Sequence, residues 1–442
     1  MNPQRILLVA PPFAGHLHPL LGLGRALANA GHAVAVASTH RASPAIAAAG
    51  LSAHALLDGA DVTLKALVDP PYRIGSNPWR LHRQLKLNLS LLADFRAELA
   101  ALLTGWRPSL LIADFTLPVA GMVARSAGVR WWTTHPSPCV IETRSGPPAY
   151  LGGWRARAGW RWRLRDALGR ALVRAGKRAA AWWYRRELAA LGLGALYRAD
   201  GSEALYSAER LLALGVEAFE FGRGWPLATC FLGPVLYTPP TVAPLPDDDA
   251  LPASRLRPRV LVTLGTHLAW RKPRLIEELC AVAQALPRVD LVLSLGDSAA
   301  DATPRSQRLP PNLAVRAWVP YDRELEGYAL VLHHGGAGVL WYTLAAGLPA
   351  LVWPQDYDQF DHAARLLAGG LAVRIRGAGE LPAAIPAALA DAALRGRVRA
   401  FRERWLTGLD AAARLCALVA ALPPVTAGYS AALNPETPTT PP

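Results

Sequence analysis

An apolar run near the amino terminus, followed by a helical segment and a second apolar run, is the sequence feature that most constrains the fold. Residues 6–10 are apolar and end at two prolines, residues 19–30 have apolar side chains at helical spacing, and residues 33–37 are again apolar. This order predicts a buried strand, a helix and a second buried strand. Such units form parallel sheets, so the sequence predicts an α/β fold, with further strands at residues 110–113 and 129–133.

The same alternation restarts after a stretch rich in proline and aspartate, which predicts a linker between two domains. Two α/β domains that face each other leave a cleft at the carboxyl ends of their strands, where open α/β sheets bind ligands. The predicted division is a first domain over residues 1–237, a linker over 238–258, a second domain over 259–422 and a disordered tail over 423–442.

The composition indicates a globular protein with reduced cysteines. A chain of 442 residues with 52% hydrophobic residues can bury sizeable cores. The four cysteines lie far apart without paired spacing, which argues against a disulfide framework and a zinc knuckle. The first apolar run is too short for a signal peptide, and no later run approaches membrane-spanning length. We therefore expect the chain to stay in the cytoplasm unless it docks to a surface.

A glycine-rich turn between a predicted strand (329–332) and a predicted helix (339–346) indicates an anion site. Gly335, Gly336 and Gly338 lie in this turn. Without side chains there, an anion can approach the free N–H groups of the first helical turn, where the helix dipole favours negative charge. The turn is not a Walker loop, because no Gly-Lys-Ser/Thr follows. Glycines also occur in such turns for structural reasons alone, so the turn by itself leaves both interpretations open.

Polar residues near the turn favour a phosphate-bearing ligand. His333 and His334 precede the glycines. Adjacent histidines on an extended segment point in opposite directions, so they chelate one metal poorly, but one of them can donate a hydrogen bond to an anion. Asp358 and Gln359 follow the next strand and suit vicinal sugar hydroxyls, although a polar loop cap is the alternative.

Three short motifs occur in order along the chain: GHxxP at residues 15–19, HHGGAG at 333–338 and WPxxxDQ at 353–359. Together they resemble the nucleotide-sugar glycosyltransferases of family 1, in particular the bacterial macrolide, antibiotic and sterol branch. The resemblance implies a GT-B fold, with two facing Rossmann-like domains that contain parallel sheets. The first domain would bind the acceptor and the second the nucleotide sugar.

The resemblance also implies site residues. His16 would be the general base and Asp114 its orienting carboxylate, while His333 would hold the donor diphosphate, with backbone access through the three glycines. The further donor contacts that it implies are Thr266 opposite the diphosphate, Trp318 on the base, and Asp358 and Gln359 on the sugar hydroxyls.

Departures from the plant members leave ribose recognition open. Trp341 stands where the plant signature has a ribose-binding glutamate, Tyr321 replaces a glutamine, and Ala337-Gly338 replace Asn-Ser. UDP-sugars and dTDP-sugars therefore both remain expected donors.

The resemblance predicts a single displacement with inversion at the anomeric carbon. A histidine with an ordinary pKa near 6.5 can accept the alcohol proton, and a carboxylate can orient it. His18, two residues further along, is the rival base for His16. Since the helix dipole and His333 would stabilise the leaving diphosphate, no metal or other cofactor is expected. The acidic run 247–249 falls in the predicted linker.

A segment rich in arginine and tryptophan, residues 154–186, predicts a contact surface. Asp166 is its only acidic residue, and five tryptophans alternate with its arginines. A helix of this kind fits anionic lipid headgroups. We expect it to line the acceptor entrance, to rest on the inner face of the cell membrane and to favour a lipophilic hydroxylated acceptor. A solvated face with a few buried tryptophans is the alternative.

Two other functions stay open. The net charge of +14 permits a basic nucleic-acid-binding protein, although no nucleic-acid motif occurs and an overall compositional bias explains the arginines equally well. A nucleotide-sugar epimerase shares the two-domain architecture, but the GHxxP loop and the basic segment argue against it. The expected partners are a nucleotide-sugar donor and a lipophilic acceptor, with no nucleic acid.

Overall fold

The computed structural model of the chain describes residues 3–75, 77–240, 257–296 and 309–423. Most of the predicted linker, including the acidic run 247–249, and nearly all of the predicted tail lie outside the described residues.

Two parallel sheets form the centre of the molecule. The strands of the first sheet are β1 (Arg5–Val9), β2 (Ala33–Ser38), β3 (Ser52–Ala55), β4 (Leu110–Asp114), β5 (Arg130–His135), β6 (Leu211–Ala213) and β7 (Thr229–Phe231). Those of the second are β8 (Arg259–Thr263), β9 (Asp290–Ser294), β10 (Leu313–Arg316), β11 (Leu330–His333), β12 (Ala350–Val352) and β13 (Ala372–Arg374).

Both sheets are doubly wound. Their strand orders are β3-β2-β1-β4-β5-β6-β7 and β10-β9-β8-β11-β12-β13, and the pairings within these orders are parallel. In each, the chain starts at an inner strand, moves to one edge and then crosses to the other side, as in Rossmann-like domains. The predicted α/β class with two such domains is confirmed.

Helices cover the faces of both sheets. In the first domain they are α1 (Ala14–Asn29), α2 (Ser43–Ala48), α3 (Asp61–Val68), α4 (Pro78–Trp106), α5 (Pro118–Ser126), α6 (Trp160–Trp183) and α7 (Arg185–Ala190). The helices that follow the linker are α8 (Lys272–Ala285), α9 (Tyr321–Glu324), α10 (Ala337–Ala345), α11 (Gln359–Ala368), α12 (Leu381–Ala390), α13 (Ala392–Trp405) and α14 (Ala411–Ala420). Among the described helices, none is both long enough and apolar enough to cross a bilayer.

The predicted start of the first helix is wrong. Helix α1 begins at Ala14, not at Pro19, so the GHxxP motif lies on the first turns of the helix and not in a loop. Proline is typical of a first helical turn, which made Pro19 a plausible start. Here it lies slightly deeper in α1, where its missing N–H removes one backbone hydrogen bond. His16 is therefore held on a helix.

The chain returns to the first domain at its described end, which the sequence did not indicate. Helix α14 packs on α1, and Ala411, Leu415 and Val419 belong to the same buried cluster as Leu20 of α1. The predicted second domain, 259–422, thus contributes a helix to the core of the first. This crossing ties the two domains together beside the segment that leads into the linker, because Arg414 of α14 donates to the Phe231 carbonyl of β7 at 3.2 Å.

Loss of the Leu415 side chain is expected to destabilise the first domain. Leu415 is fully buried between α14 and α1, so Leu415→Ala removes apolar contacts and leaves a cavity, at a cost of about 2–5 kcal/mol. Urea unfolding monitored by tryptophan fluorescence measures the change. Leu227→Ala is the matched control, because Leu227 is 94% exposed. Equal unfolding midpoints for the two variants would contradict the packing of α14.

Candidate active site

A histidine and a carboxylate from two different elements meet at the carboxyl edge of the first sheet. His16 lies on the first turn of α1, and Asp114 is the last residue of β4, the neighbour of β1. The Nδ1 atom of His16 lies 3.0 Å from Oδ2 and 3.1 Å from Oδ1 of Asp114. The two residues predicted as base and orienting group are thus brought into contact.

The surroundings keep Asp114 ionised. Although burial works against its charge, His16 and Thr116 lower its pKa, because the Thr116 N–H and hydroxyl both donate to Oδ1, at 3.0 and 2.5 Å. A buried carboxylate held in this way can bind and orient an imidazole. Thr116 was not predicted from the sequence.

The electrostatics of His16 favour a strong base. Burial lowers its pKa, but the Asp114 carboxylate and, across the cleft, Asp358 outweigh that effect, so the pKa lies above its ordinary value. The ring also stacks on Phe115, which in turn stacks on the buried His135 at a centroid distance of 3.9 Å. With Nδ1 on the carboxylate, Nε2 is the atom that can accept a proton.

His18, the rival base, has a different environment. Burial lowers the pKa of His18 to about 4, and its ring meets the edge of Trp318 at a centroid distance of 6.2 Å. It contributes to the wall of an interdomain cavity and lacks a contact like that between His16 and Asp114 among the described residues. The geometry therefore favours His16 as the base.

A cavity of about 650 Å³ lies between the two domains on the His18 side of α1. Phe13 and His18 line it from the first domain, and Thr266, Gly296 and Trp318 from the second. Its size and its mixed apolar and polar walls suit a small organic ligand. Two of the predicted donor contacts, Thr266 and Trp318, therefore share one cavity.

The glycine-rich turn lies at the start of α10, and its three glycines have different surroundings. Gly335 has φ +94°, and a side chain there would meet the backbone of Gln359. Gly336 is the N-cap of α10, and since it has no side chain it leaves the N–H groups of the first turn without a side-chain cap. Gly338, on the first helical turn, is exposed and faces open space. The N–H groups at the start of α10 are thus accessible to an anion.

The two adjacent histidines have different positions. The His333 ring is buried, and its Nδ1 accepts a hydrogen bond from the Gly335 N–H at 3.1 Å, so this side chain supports the turn. The His334 ring lies between two glycine-rich loops: a Cβ at Gly265 or Gly336 would come within 2.7 or 2.4 Å of it. Burial lowers the pKa of both rings to about 3, so both are neutral donors or acceptors. The diphosphate role of His333 stays a prediction.

Asp358 and Gln359 lie at the start of α11, next to the glycine turn. The Gln359 side-chain oxygen accepts hydrogen bonds from the N–H groups of Gln355 and Asp356, at 2.9 and 3.0 Å, which fixes the loop before the helix. Asp358 makes no capping hydrogen bond to α11, and its carboxylate acts on His16 across the cleft. The structure therefore brings the predicted sugar-binding residues close to the predicted base.

The departures from the plant pattern have structural explanations. Trp341 is buried and packs against Phe219 and Gly215 of the first domain, so it serves the interdomain core. The Tyr321 hydroxyl lies 3.0 Å from the Thr263 hydroxyl, within the wall beneath Trp318. Neither occupies the position of a free polar ligand.

The sequence of residues 282–407 matches the family described as the C-terminal domain of erythromycin biosynthesis protein CIII-like proteins. The chain is 31% identical to L-demethylnoviosyl transferase of Streptomyces niveus over 377 residues, which covers 83% of this chain and 84% of the relative. Among solved structures, the glycotransferase of kitacinnamycin superposes with a TM-score of 0.71 at 25% identity, over 95% of this chain and 99% of that one. A glycosyltransferase from Streptomyces sp. SF2575 complexed with thymidine diphosphate gives a TM-score of 0.60 at 20% identity, over 94% and 99%.

Replacement of Asp114 by Asn is expected to lower the pKa of His16. Burial would then act on the imidazole without the main charge that opposes it, so the ring would stay neutral to lower pH. NMR titration of the histidine ring resonances measures the shift. His18 serves as an internal control, since its pKa of about 4 depends on burial and not on Asp114. An unchanged His16 titration would show that the pair is not coupled.

Proposed function

The chain belongs to the antibiotic branch of the family 1 nucleotide-sugar glycosyltransferases, and from this premise we propose how it acts. It transfers a hexose from a dTDP- or UDP-sugar to a hydroxyl group of a lipophilic natural product, with inversion at the anomeric carbon and without a divalent cation. The observation that carries this proposal is the His16–Asp114 pair, 3.0 Å apart, which faces Asp358 of the donor domain.

In the proposed reaction, His16 Nε2 removes the acceptor proton as the acceptor oxygen attacks the anomeric carbon. Asp114 orients the ring and stabilises the imidazolium that forms. The bond between the anomeric carbon and the diphosphate oxygen breaks, and the nucleoside diphosphate leaves with the bonding electrons. Attack opposite to the leaving group inverts the configuration at this carbon.

In this proposal, the residues that bind the nucleotide sugar lie in the second domain. We place the diphosphate at the N-terminus of α10, where the N–H groups and the helix dipole favour negative charge. The position of His334 between Gly265 and Gly336 supports this residue as the phosphate donor, with His333 supporting the turn. Trp318 and Thr266 supply the walls for the base, and Asp358 holds the sugar.

A thymidine nucleotide is the donor that the comparisons favour. The neighbouring Streptomyces glycosyltransferase holds thymidine diphosphate, and the buried Trp341 of this chain cannot replace the plant glutamate on a ribose. Membership of the family also favours transfer over the epimerase and nucleic-acid-binding alternatives.

Two variants test the site, one through kcat and the other through nucleotide affinity. His16→Ala is expected to lower kcat by about 10²–10⁴-fold with nucleotide affinity unchanged, because only proton transfer is lost. Gly338→Ala is expected to weaken binding of dTDP or UDP by about ten-fold or more, because a methyl group enters the space for the diphosphate. Nucleoside diphosphate release and calorimetry, with labelled dTDP- and UDP-sugars and a panel of polyketide and lipid alcohols, give the two readouts.

The matched control is Gly396→Ala on α13, where a methyl group also meets open space but no ligand is proposed. If Gly338→Ala binds nucleotide as tightly as this control does, the diphosphate lies elsewhere. Full activity of His16→Ala would exclude it as the base.

The basic and aromatic helix α6 supports contact with a membrane. Its side chains at i, i+4 spacing form an exposed stripe: Trp160, Leu164, Leu168 and Leu172, which are 69%, 52%, 63% and 65% exposed. Trp182 and Trp183 extend the apolar surface at the end of the helix. The alternative of a solvated face with a few buried tryptophans does not describe these residues.

Positive charge accompanies the stripe, and the opposite face of α6 is anchored. Arg161, Arg163 and Arg178 are among its exposed arginines. On the inner face, Lys177 binds the carboxylates of Glu142 and Glu203, at 2.8 and 2.6 Å. An apolar stripe with arginines beside it is complementary to an anionic bilayer surface. We propose that α6 docks there.

Removal of the stripe is expected to abolish this docking. The triple variant Leu164→Gln, Leu168→Gln, Leu172→Gln changes exposed positions, so the fold is retained, while affinity for phosphatidylglycerol vesicles falls by about ten-fold or more. Co-sedimentation at low salt measures binding, and Val62→Gln, on α3 and 80% exposed, is the control. Absence of vesicle binding by the unaltered protein at low salt would exclude the membrane.

A further inference from the structure

Three side chains that commonly bind transition metals meet where the two domains contact each other. Cys139 Sγ, a carboxylate oxygen of Asp358 and a ring nitrogen of His362 lie within 4.8 Å of one another. Cys139 belongs to the first domain, in the 3₁₀ turn Pro138–Val140, whereas Asp358 and His362 belong to the second. The group therefore exists only when the two domains are together.

The geometry of α11 prepares two of the three ligands. Asp358 is the N-cap of α11 and His362 lies one turn later, so both project from the same side of the helix. The Gly335 carbonyl accepts a hydrogen bond from His362 Nδ1 at 2.8 Å, which leaves the lone pair on Nε2. Metal-binding histidines are typically oriented by such a bond from the second ring nitrogen to a carbonyl.

The charges around Cys139 favour a cation. The carboxylates of Asp358, Asp361 and Glu220 act on the thiol, against the single guanidinium of Arg365, which is paired with Glu220. A metal binds the thiolate form of cysteine, so binding would release the Cys139 proton.

The donor set selects the metal. One sulfur, one imidazole nitrogen and one carboxylate oxygen, with an open fourth position, match Zn²⁺, whereas Mg²⁺ and Ca²⁺ prefer oxygen ligands alone. The three ligand atoms lie within 4.8 Å of one another, so they could approach the separations around a tetrahedral zinc with little movement. They can do so by small side-chain rotations, because two of the ligands share α11 and the third lies on a short turn.

We propose that Cys139, Asp358 and His362 bind one Zn²⁺ ion, which replaces the thiol proton, bridges the two domains and excludes the donor sugar from Asp358. The proposal that zinc binds is argued from the three side chains themselves. The exclusion part rests on the proposed function, in which Asp358 holds the sugar. Zinc would therefore inhibit the transferase in competition with the nucleotide sugar, although the reaction itself needs no metal.

Cobalt substitution tests the site without reference to activity. Co²⁺ added to the full chain is expected to give a thiolate-to-cobalt charge-transfer band that Zn²⁺ abolishes. Cys139→Ser should lose the band and bind zinc at least about 100-fold more weakly, because even residues that only orient a ligand contribute 10–100-fold. Cys230→Ser, at another free cysteine of the first domain, is the control and should behave as the unaltered chain does. The same band in Cys139→Ser, or no band in the unaltered chain, would overturn the proposal.

Competition separates the two parts of the inference. In the transfer assay, zinc is expected to raise the apparent KM for the nucleotide sugar without changing kcat, and Cys139→Ser should resist this inhibition. If no transfer is seen with any donor, the cobalt spectrum still decides the metal site. If the spectrum is as expected but zinc lowers kcat without raising KM, the ion does not exclude the sugar and that part of the proposal fails.

Discussion

The start of helix α11 is the contact on which the closed molecule depends. Just before it, the Asp356 carboxylate accepts the backbone N–H groups of Ile74 and Gly75, at 3.0 and 3.2 Å, and within it Asp361 accepts that of Tyr150 at 2.9 Å. One turn further, Arg365 forms a buried ion pair with Glu220. A buried charge is unfavourable without its partner. Separation of the two domains would break all of these contacts at once. The residues that face the ligand are therefore fixed by the same segment that closes the domains.

This arrangement couples closure to the chemistry of the base. Two carboxylates raise the pKa of His16. Asp114 lies with it in the first domain, whereas Asp358 acts from the second domain across the cleft. A sugar hydroxyl that donates to Asp358 leaves its negative charge in place and so preserves its support of the imidazolium. A cation at Asp358 cancels that charge and lowers the pKa of His16. In the proposed reaction, the group at Asp358 would thus decide both whether the sugar can bind and how basic His16 is.

The sequence predicted the features that are local in the chain. Continuous apolar runs such as residues 6–10 determine buried parallel strands, and the glycines at 335 and 336 indicate a tight turn between a strand and a helix, so both were found. The pairing of His16 with Asp114 was implied by the family resemblance, and the structure brings the two together at the carboxyl edge of the neighbouring strands β1 and β4. Residues whose roles depend on distant packing were not found. Thr116, the return of α14 to the first core, and the position of the His334 ring between Gly265 and Gly336 leave no local pattern.

Helix α6 shows how one amphipathic element can serve two surfaces. Its inner side carries Asp166 and Gly169, which are buried, and Lys177, which lies against a cavity that extends to Arg365 of the second domain. Its outer side carries the exposed leucines and tryptophans, which no described part of the chain covers. Exposure of apolar side chains to water at four successive turns is unfavourable. Contact with a lipid surface would remove these side chains from water. If the outer face of α6 contacts lipid, the cavity on its inner face gives an apolar acceptor a short path from the membrane to the cleft. We therefore expect a lipophilic acceptor and membrane contact together.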